Sequence, residues 1–402
     1  MSAVAARPAL RLDGIIRPAA GDPVRTDAFL PSPAVQNHAA NLMVLGNGDL
    51  ACVWFGGTQE GIPDISIYFS RLAAGADTWS PAERLSDDPT RSEQNPVLFL
   101  APDGRLWLLY TSQRSGNQDT SIVKFRISDD HGRSWGPVGT LIDEPGTFIR
   151  QPITVLENGD WLLPVFLCRT RPGEKWVGDD DVSAVKISSD QGRTWSHHEV
   201  PGSLGAVHMN IVPLGDGTLL ALYRSRWADR IHLSRSSDGG RSWSAPEPTE
   251  LPNNNSSIQV TRLANGHLAL AYNHMCAEWA PERRQSLYDE IEDDEPTAAA
   301  PASAAPRPAG RTAFWGAPRA PMTVALSEDG GRTWPIRRDI ELGDGYCMTN
   351  NSRDGLNREL SYPSIREGAD GALHVAFTYH RQAIKHVRID EAWIRAGGPA
   401  SD

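Results

Sequence analysis

Short apolar runs recur along the chain, each entered through a two-residue turn signal. Asn47-Gly48, Asp103-Gly104, Asn158-Gly159, Asp216-Gly217, Asn265-Gly266 and Asp370-Gly371 each lead into a largely apolar stretch. Asp103-Gly104 opens Leu106-Trp107-Leu108-Leu109-Tyr110, and Asp216-Gly217 opens Leu219-Leu220-Ala221-Leu222-Tyr223. Asn-Gly or Asp-Gly between apolar runs marks a tight β-hairpin, because its central positions require a positive φ. From glycine to glycine the steps are 56, 55, 58, 49 and 105 residues. Hairpins at a period of about 50 residues predict a propeller in which each repeat is one blade. The expected fold class is all-β: a six-bladed β-propeller of four-stranded antiparallel blades, forming a single domain over residues 1–402.

A second repeat interleaves with the first. The pattern Ser-x-Asp-x-Gly-x-x-Trp occurs at Ser128–Trp135, Ser188–Trp195, Ser236–Trp243 and Ser327–Trp334. A degenerate fifth runs from Ser70 to Trp79, with Gly75 and Asp77 at altered spacing. Each follows a strand-like stretch such as Met322-Thr323-Val324-Ala325-Leu326. In such a turn the Asp accepts backbone N–H bonds and the Gly takes a φ that other residues resist. The Trp is then expected to pack between sheets, far from the propeller axis. The long last step is explained by an insertion at about 281–312, read as a short helix near Arg283–Ile291 followed by a linker-like loop. Within it, 7 Ala and 4 Pro fill Pro296–Gly310, a composition ill suited to a strand.

Composition narrows the partners. Lys+Arg total 39 against 50 Asp+Glu, a formal net charge of -11, which argues against a nucleic-acid partner. No apolar run reaches the roughly 18 to 20 residues of a membrane span. The start, Met1-Ser2-Ala3-Val4-Ala5-Ala6-Arg7-Pro8, lacks the longer apolar core of a secretory signal, so a cytoplasmic protein is expected. Cys52, Cys168, Cys276 and Cys347 lie far apart and fit neither a disulfide scaffold nor a zinc knuckle. No metal or other cofactor is expected. Gly178-Asp179-Asp180-Asp181 lacks the alternating spacing of a calcium loop and reads as a solvated turn. His197-His198, just past a repeat Trp, reads as surface, and Cys276 as buried and structural.

The hairpin phase locates the axis. In a propeller the first strand of each blade lines the central channel, and here those strands precede the Asn/Asp-Gly turns. Their leading residues are Gln36-Asn37-His38, Gln94-Asn95-Pro96, Arg150-Gln151-Pro152, His208-Met209-Asn210, Ser257-Ile258-Gln259 and Ser361-Tyr362-Pro363. Polar side chains at the mouths of six otherwise apolar strands would converge on one concave site.

The four Asp-boxes and six hairpins resemble the sialidase superfamily of BNR-repeat propellers over roughly residues 30–390. That family's Asp-boxes are peripheral and do no chemistry, so activity has to be argued from the axis. The resemblance implies an arginine triad gripping a substrate carboxylate, a Tyr nucleophile paired with a Glu, and an acidic residue on an early loop. Tyr362 stands where the nucleophile is expected, Arg224 resembles the second triad arginine, and Arg319 the third. In place of the first arginine stands His38-Ala39-Ala40, and in place of the activating Glu stands His208. The acidic residue is either Glu60 or Asp64. Arg381, closing Tyr379-His380-Arg381, could reach the site or help close the ring.

Two arginines still provide an oriented grip on a carboxylate. A histidine, with a pKa of about 6.5, can relay a tyrosine proton near neutral pH. Three functions follow. In the first, a glycoside hydrolase cleaves a terminal anionic sugar, with Tyr362 as nucleophile, His208 as its base and Glu60 or Asp64 as acid. Arg224 and Arg319 would clamp the carboxylate, while Arg150, Gln94, Asn95, Asn210, Gln259 and Arg381 contact substrate. In the second, a lyase cleaves uronate glycosides by β-elimination, with His38 or His208 as base and Tyr362 as acid. In the third, the propeller binds sugar without catalysis. In each case the partner is an oligosaccharide or glycoside.

Overall fold

The computed structural model describes residues 10–284, 286–291 and 311–397. Six antiparallel sheets follow one another around a ring. The innermost strands of the first, second, fourth, fifth and sixth blades are Gln36–Val44, Ser92–Leu100, Ala206–Pro213, Gln259–Arg262 and Leu360–Glu367. The third blade replaces its inner strand by two short pieces, Thr147–Phe148 and Thr154–Val155, both paired with Trp161–Leu167. Each of the six Asn/Asp-Gly pairs joins an inner strand to the next strand outward. At Gly217 a Cβ would meet nothing within 4 Å, so its φ of 85°, rather than crowding, selects glycine there.

The ring is closed by the start of the chain. Asp22–Phe29 pairs antiparallel with Ala383–Ile389, and Arg17–Ala19 adds a fifth strand outside it. The sixth blade therefore joins both ends of the chain and resists radial opening. Hydrophobic side chains fill the wedges between adjacent sheets, as where Val53, Phe55 and Phe69 of the first blade meet Leu98, Leu108 and Tyr110 of the second. Among the described residues no helix is long and apolar enough to cross a membrane.

The Asp-boxes connect third to fourth strands at the periphery. In the first, the Asp130 carboxylate accepts the amides of Arg133 at 3.0 Å and Ser134 at 2.8 Å, and Ser128 Oγ accepts the Gly132 amide at 2.8 Å. Trp79, Trp243 and Trp334 are buried as expected, but Trp135 and Trp195 are only half-buried. Trp135 meets the edge of Phe69 and Trp195 donates to Gly192 O at 3.1 Å, so each is held on the rim of its wedge.

Two further expectations are corrected. The described part of 283–291 is not a helix: Arg284 forms an isolated bridge with Trp315, and 287–290 is a turn. Leu287 and Tyr288 are buried there against Trp176 and Trp315, so the segment is packed by its apolar side chains rather than by helical bonds. The Ala/Pro tract lies outside the described residues. Nor is 178–181 a solvated turn, because Asp179 and Asp181 are both buried. Asp181 pairs with Arg226 at 2.7 Å and accepts the Trp176 indole N–H at 2.9 Å.

Candidate active site at the propeller axis

Four inner strands carry a β-bulge at the same level, with register breaks at His38/Asn41, Gln94/Val97, Val207/Asn210 and Ser361/Ser364. Within each break one residue takes a positive φ: Ala39 at 62°, Asn95 at 46°, His208 at 55° and Tyr362 at 51°. Positive φ is uncommon for Tyr and costs on the order of 1–3 kcal/mol, so the surrounding sheet has to hold it in place. A bulge of this kind re-aims a side chain without disrupting the rest of the strand. Here it brings Tyr362 and His208 onto the axis.

Tyr362 is the hub. Arg224 Nη1 donates to its hydroxyl at 2.6 Å, and the guanidiniums of Arg150, Arg224 and Arg319 lie 5.3, 5.6 and 5.6 Å from its ring centroid. The His38 ring is 4.2 Å away and the His208 ring 5.7 Å. No hydrogen bond joins His208 to Tyr362; Arg224 stands between them, also donating to His208 Nε2 at 3.3 Å. An arginine only donates, so this contact places the proton of neutral His208 on Nδ1, which is buried with no partner among the described residues. The expected role of His208 as base to Tyr362 is corrected: its acceptor nitrogen is taken up in fixing Arg224. His38 has the opposite arrangement. Its Nδ1 meets Thr378 Oγ1 at 2.8 Å and lies 3.6 Å from Glu359, and its Nε2 is buried and unpartnered among the described residues.

Glu359 is the site residue that sequence reading missed. It pairs with Arg319 at 3.0 Å and Arg381 at 3.0 Å, and accepts from Ser361 Oγ at 2.5 Å. Arg381 also pairs with Glu60. Glu60 is buried beside the axis, whereas Asp64 is exposed and accepts the Thr58 amide at 3.1 Å. Of the two early-loop acids, only Glu60 lies at the axis, since the Asp64 carboxylate caps its own loop.

Electrostatics separates the arginines into two kinds. Arg319 and Arg381 each face a carboxylate. Arg150 instead spans the channel, donating to the carbonyls of Ala40 at 2.9 Å and Tyr362 at 3.1 Å, while its Nε and Nη1 have no partner among the described residues. Arg224 donates to Asn255 Oδ1 at 2.7 Å, Tyr362 and His208, and its Nη2 is likewise unpartnered. Burial pushes Arg150 down to about 10 and, reinforced by Arg226 and Arg319, Arg224 down to about 9. Burial, with Arg381 and Arg224 respectively, holds His38 and His208 well below the usual histidine range, so both are neutral at physiological pH. Glu359 is opposed by burial, yet Arg319 and Arg381 keep it ionised, well below the usual carboxylate range.

The remaining expected contacts divide. Asn95 Oδ1 and Gln94 Oε1 are buried and unpartnered among the described residues, and the Gln94 amide donates to Ser92. Asn210 and Gln259 serve as staples between blades. Asn210 accepts the Val260 amide at 2.8 Å, and Gln259 accepts Ser364 Oγ and the Ile365 amide, both at 2.7 Å. Above the centre lie Leu287, Tyr288 and Trp315, and the Tyr288 hydroxyl accepts from the amides of Gln113 and Gln118. Gly61 makes room for them: its φ is 100°, and a Cβ there would stand 2.8 Å from both Tyr288 and Ile291. What remains open beside Arg319, Glu359 and Arg381 is a cavity of about 10 Å³, the size of one water.

Blade number, Asp-boxes and a polar axis together define a six-bladed BNR-type propeller. The family described as BNR repeat-like domain matches residues 48–375, and the chain belongs to it. None of the curated proteins compared with the chain matches it in sequence. Among solved structures it is similar to the Hadza microbial sialidase Hz136, at 13% identity and a TM-score of 0.65, covering 90% of this chain and 66% of that one. It thus spans just under two thirds of that sialidase. A protein of unknown function from Dyadobacter fermentans gives 15% identity and a TM-score of 0.65, covering 90% of this chain and 97% of that one. The intramolecular trans-sialidase of Ruminococcus gnavus gives 14% and 0.60, covering 89% and 95%. At these identities the likeness establishes the fold.

Proposed function

We propose that this chain is a glycoside hydrolase acting on a terminal sugar that bears a carboxylate. The observation that carries the reading is the charge count at the axis. Four guanidiniums (Arg150, Arg224, Arg319 and Arg381) share the centre with two carboxylates (Glu60 and Glu359), and the unpaired arginines both lie against Tyr362. A buried surplus of positive charge with free N–H groups is costly unless an anion completes it. Arg224 Nη2 is the donor best placed to receive that anion.

In this scheme the Tyr362 oxygen attacks the anomeric carbon as the bond to the leaving oxygen breaks. The phenolic proton passes to His38 Nε2. Glu60 rests on Arg381 as an acceptor; the incoming carboxylate competes for Arg381, and the released Glu60 takes up a proton from water and passes it to the leaving oxygen. Water then displaces Tyr362, giving its proton to Glu60, while His38 returns the proton to Tyr362. A sugar does not fit the water-sized cavity, so turnover requires the turn at 286–291 to move outward.

The Glu60–Arg381 pair also favours a second reading. Where Glu60 does not become a proton donor, His38 takes the α-proton of a uronate, Tyr362 protonates the leaving oxygen, and a C=C bond forms as the C–O bond breaks. The two are separated by incubating the protein with a uronate disaccharide and following ultraviolet absorbance beside reducing-end release. Release without absorbance supports hydrolysis; matched growth of both assigns elimination.

A further inference from the structure

The turn that roofs the centre belongs to an insertion between two strands of the fifth blade, Leu268–Asn273 and Met322–Ser327. Its Tyr288 nevertheless ends in the second blade, where the hydroxyl accepts Gln113 Nε2 at 3.3 Å and Gln118 Nε2 at 3.0 Å. In a ring of six, the second and fifth blades stand opposite each other, so the turn lies across the mouth of the axis. Arg284, Leu287 and Tyr288 are all buried there. Ile291 sits in the gap over Gly61, and the Gly116 amide donates to Gly61 O at 3.0 Å, joining the first and second blades beneath it. Leu287 covers the remaining cavity. Its carbonyl accepts Asn350 Nδ2 at 3.0 Å and Arg284 Nη2 at 3.3 Å, and it shares the cavity lining with Arg319, Glu359 and Arg381.

The turn brings its own countercharge. Asp289 pairs with Arg284, while Glu290 lies 3.8 Å from Arg284 and accepts the Asn350 amide at 2.7 Å. Neither acid pairs with Arg150 or Arg224, whose unpartnered N–H groups are left for a ligand anion. The turn and a ligand therefore compete for space and not for charge.

We infer that residues 286–291 form an autoinhibitory plug: the resting protein keeps its axis shut, and ligand enters only in molecules whose Tyr288 has left the glutamine clasp. Water takes over the glutamine amides when Tyr288 leaves, so opening costs chiefly the burial of Leu287 and Tyr288, and a minor open population persists. The apparent dissociation constant is then the intrinsic one divided by the open fraction. This regulation rests on the axis being the ligand site, as in the hydrolase reading.

Cys347 supplies a reporter that needs no ligand, because it lines the same cavity behind Leu287, whereas Cys52 is packed in the core with Leu42 and Trp54. The test follows maleimide labelling of each cysteine by peptide mass mapping, and glucuronate binding by titration calorimetry, in wild type, Tyr288→Phe and Tyr288→Ala. Cys347 labelling is expected to speed up at least about threefold in Tyr288→Phe and about tenfold in Tyr288→Ala, with Cys52 unchanged. Glucuronate should bind Tyr288→Ala at least about tenfold more tightly than wild type. Equal Cys347 rates in all three proteins would overturn the plug. So would faster labelling with unchanged glucuronate affinity, or equal acceleration of Cys52 and Cys347 in Tyr288→Phe, which would make the turn a brace of the fold. Should none of the three proteins bind glucuronate, the hydrolase reading fails. Acceleration confined to Cys347 would then still establish that Tyr288 shuts the axis.

Discussion

Arg224→Met should separate stability from function. Burial and neighbouring cations lower Arg224 from the ordinary 12.5 to about 9. That fall corresponds to roughly 5 kcal/mol by which the fold disfavours the charged side chain. Against it stand the hydrogen bonds to Tyr362 at 2.6 Å, Asn255 at 2.7 Å and His208 at 3.3 Å, whose loss leaves three buried groups unpaired at about 1–3 kcal/mol each. Met keeps the length of the aliphatic stem and adds no polar atom. The balance places the variant between about 2 kcal/mol more stable and about 4 kcal/mol less stable than wild type, with Tm shifted by no more than that implies. Affinity for an anionic sugar should nevertheless fall by about 2–5 kcal/mol, the cost of truncating one partner of a desolvated charge pair. Differential scanning calorimetry and titration calorimetry on the same preparations read both quantities. A variant destabilised by more than about 4 kcal/mol that binds the anionic sugar as tightly as wild type would refute the reasoning, because Arg224 would then be a structural brace.

Three further outcomes follow from the same geometry. Tyr362→Phe removes only the hydroxyl and should keep fold and anion binding while lowering turnover at least about a hundredfold; full activity would move the chemistry to His38. Trp243 is buried among Val185, Ile211 and Leu219, so Trp243→Ala should cost about 3–5 kcal/mol in chemical denaturation, and a loss below 1 kcal/mol would contradict its place in the wedge. His374 and His386 are hydrogen-bonded to each other at 3.0 Å, and burial pushes His374 down to about 4 and His386 well below its usual range. Their unfolded forms bind protons first, so this contribution is complete above about pH 6.5 and is lost as pH falls toward 4. A Tm that stays level or rises through that window would contradict it.

The fold was readable because its signals are local. An Asp-Gly or Asn-Gly turn needs only its own two residues, and all six such pairs join the strands they were expected to join. The axial positions of Tyr362, His208 and Arg150 followed from strand phase, whereas Arg224 was singled out only by the likeness to sialidases. Pairing at the axis was not readable, because it is long-range: Arg381 meets Glu60 across 321 residues. Glu359 fell just ahead of the strand-leading positions that drew attention, although an acid directly before the apolar start of a buried strand needs a cation and so was a usable signal. Asn210 and Gln259 show the converse. Both lie at the axis, yet their amides are committed to neighbouring blades, a choice that depends on blade-to-blade distance rather than residue type. The turn at 287–290 was misread as helix because Leu287 and Ile291 carry the i, i+4 spacing of a helical face. Their partners, Trp176 and Trp315, come from distant segments.

The central claim is that the axis selects a carboxylate. Its most direct test is kcat/KM for a matched pair of aryl glycosides, one bearing a carboxylate on the terminal sugar and one with that group reduced to the alcohol. The charge count predicts that the carboxylate is preferred by at least about a hundredfold, and that Arg224→Met abolishes most of the preference. Equal turnover of the two glycosides by wild type would contradict the claim, since an axis with two uncompensated guanidiniums would then be doing nothing for recognition.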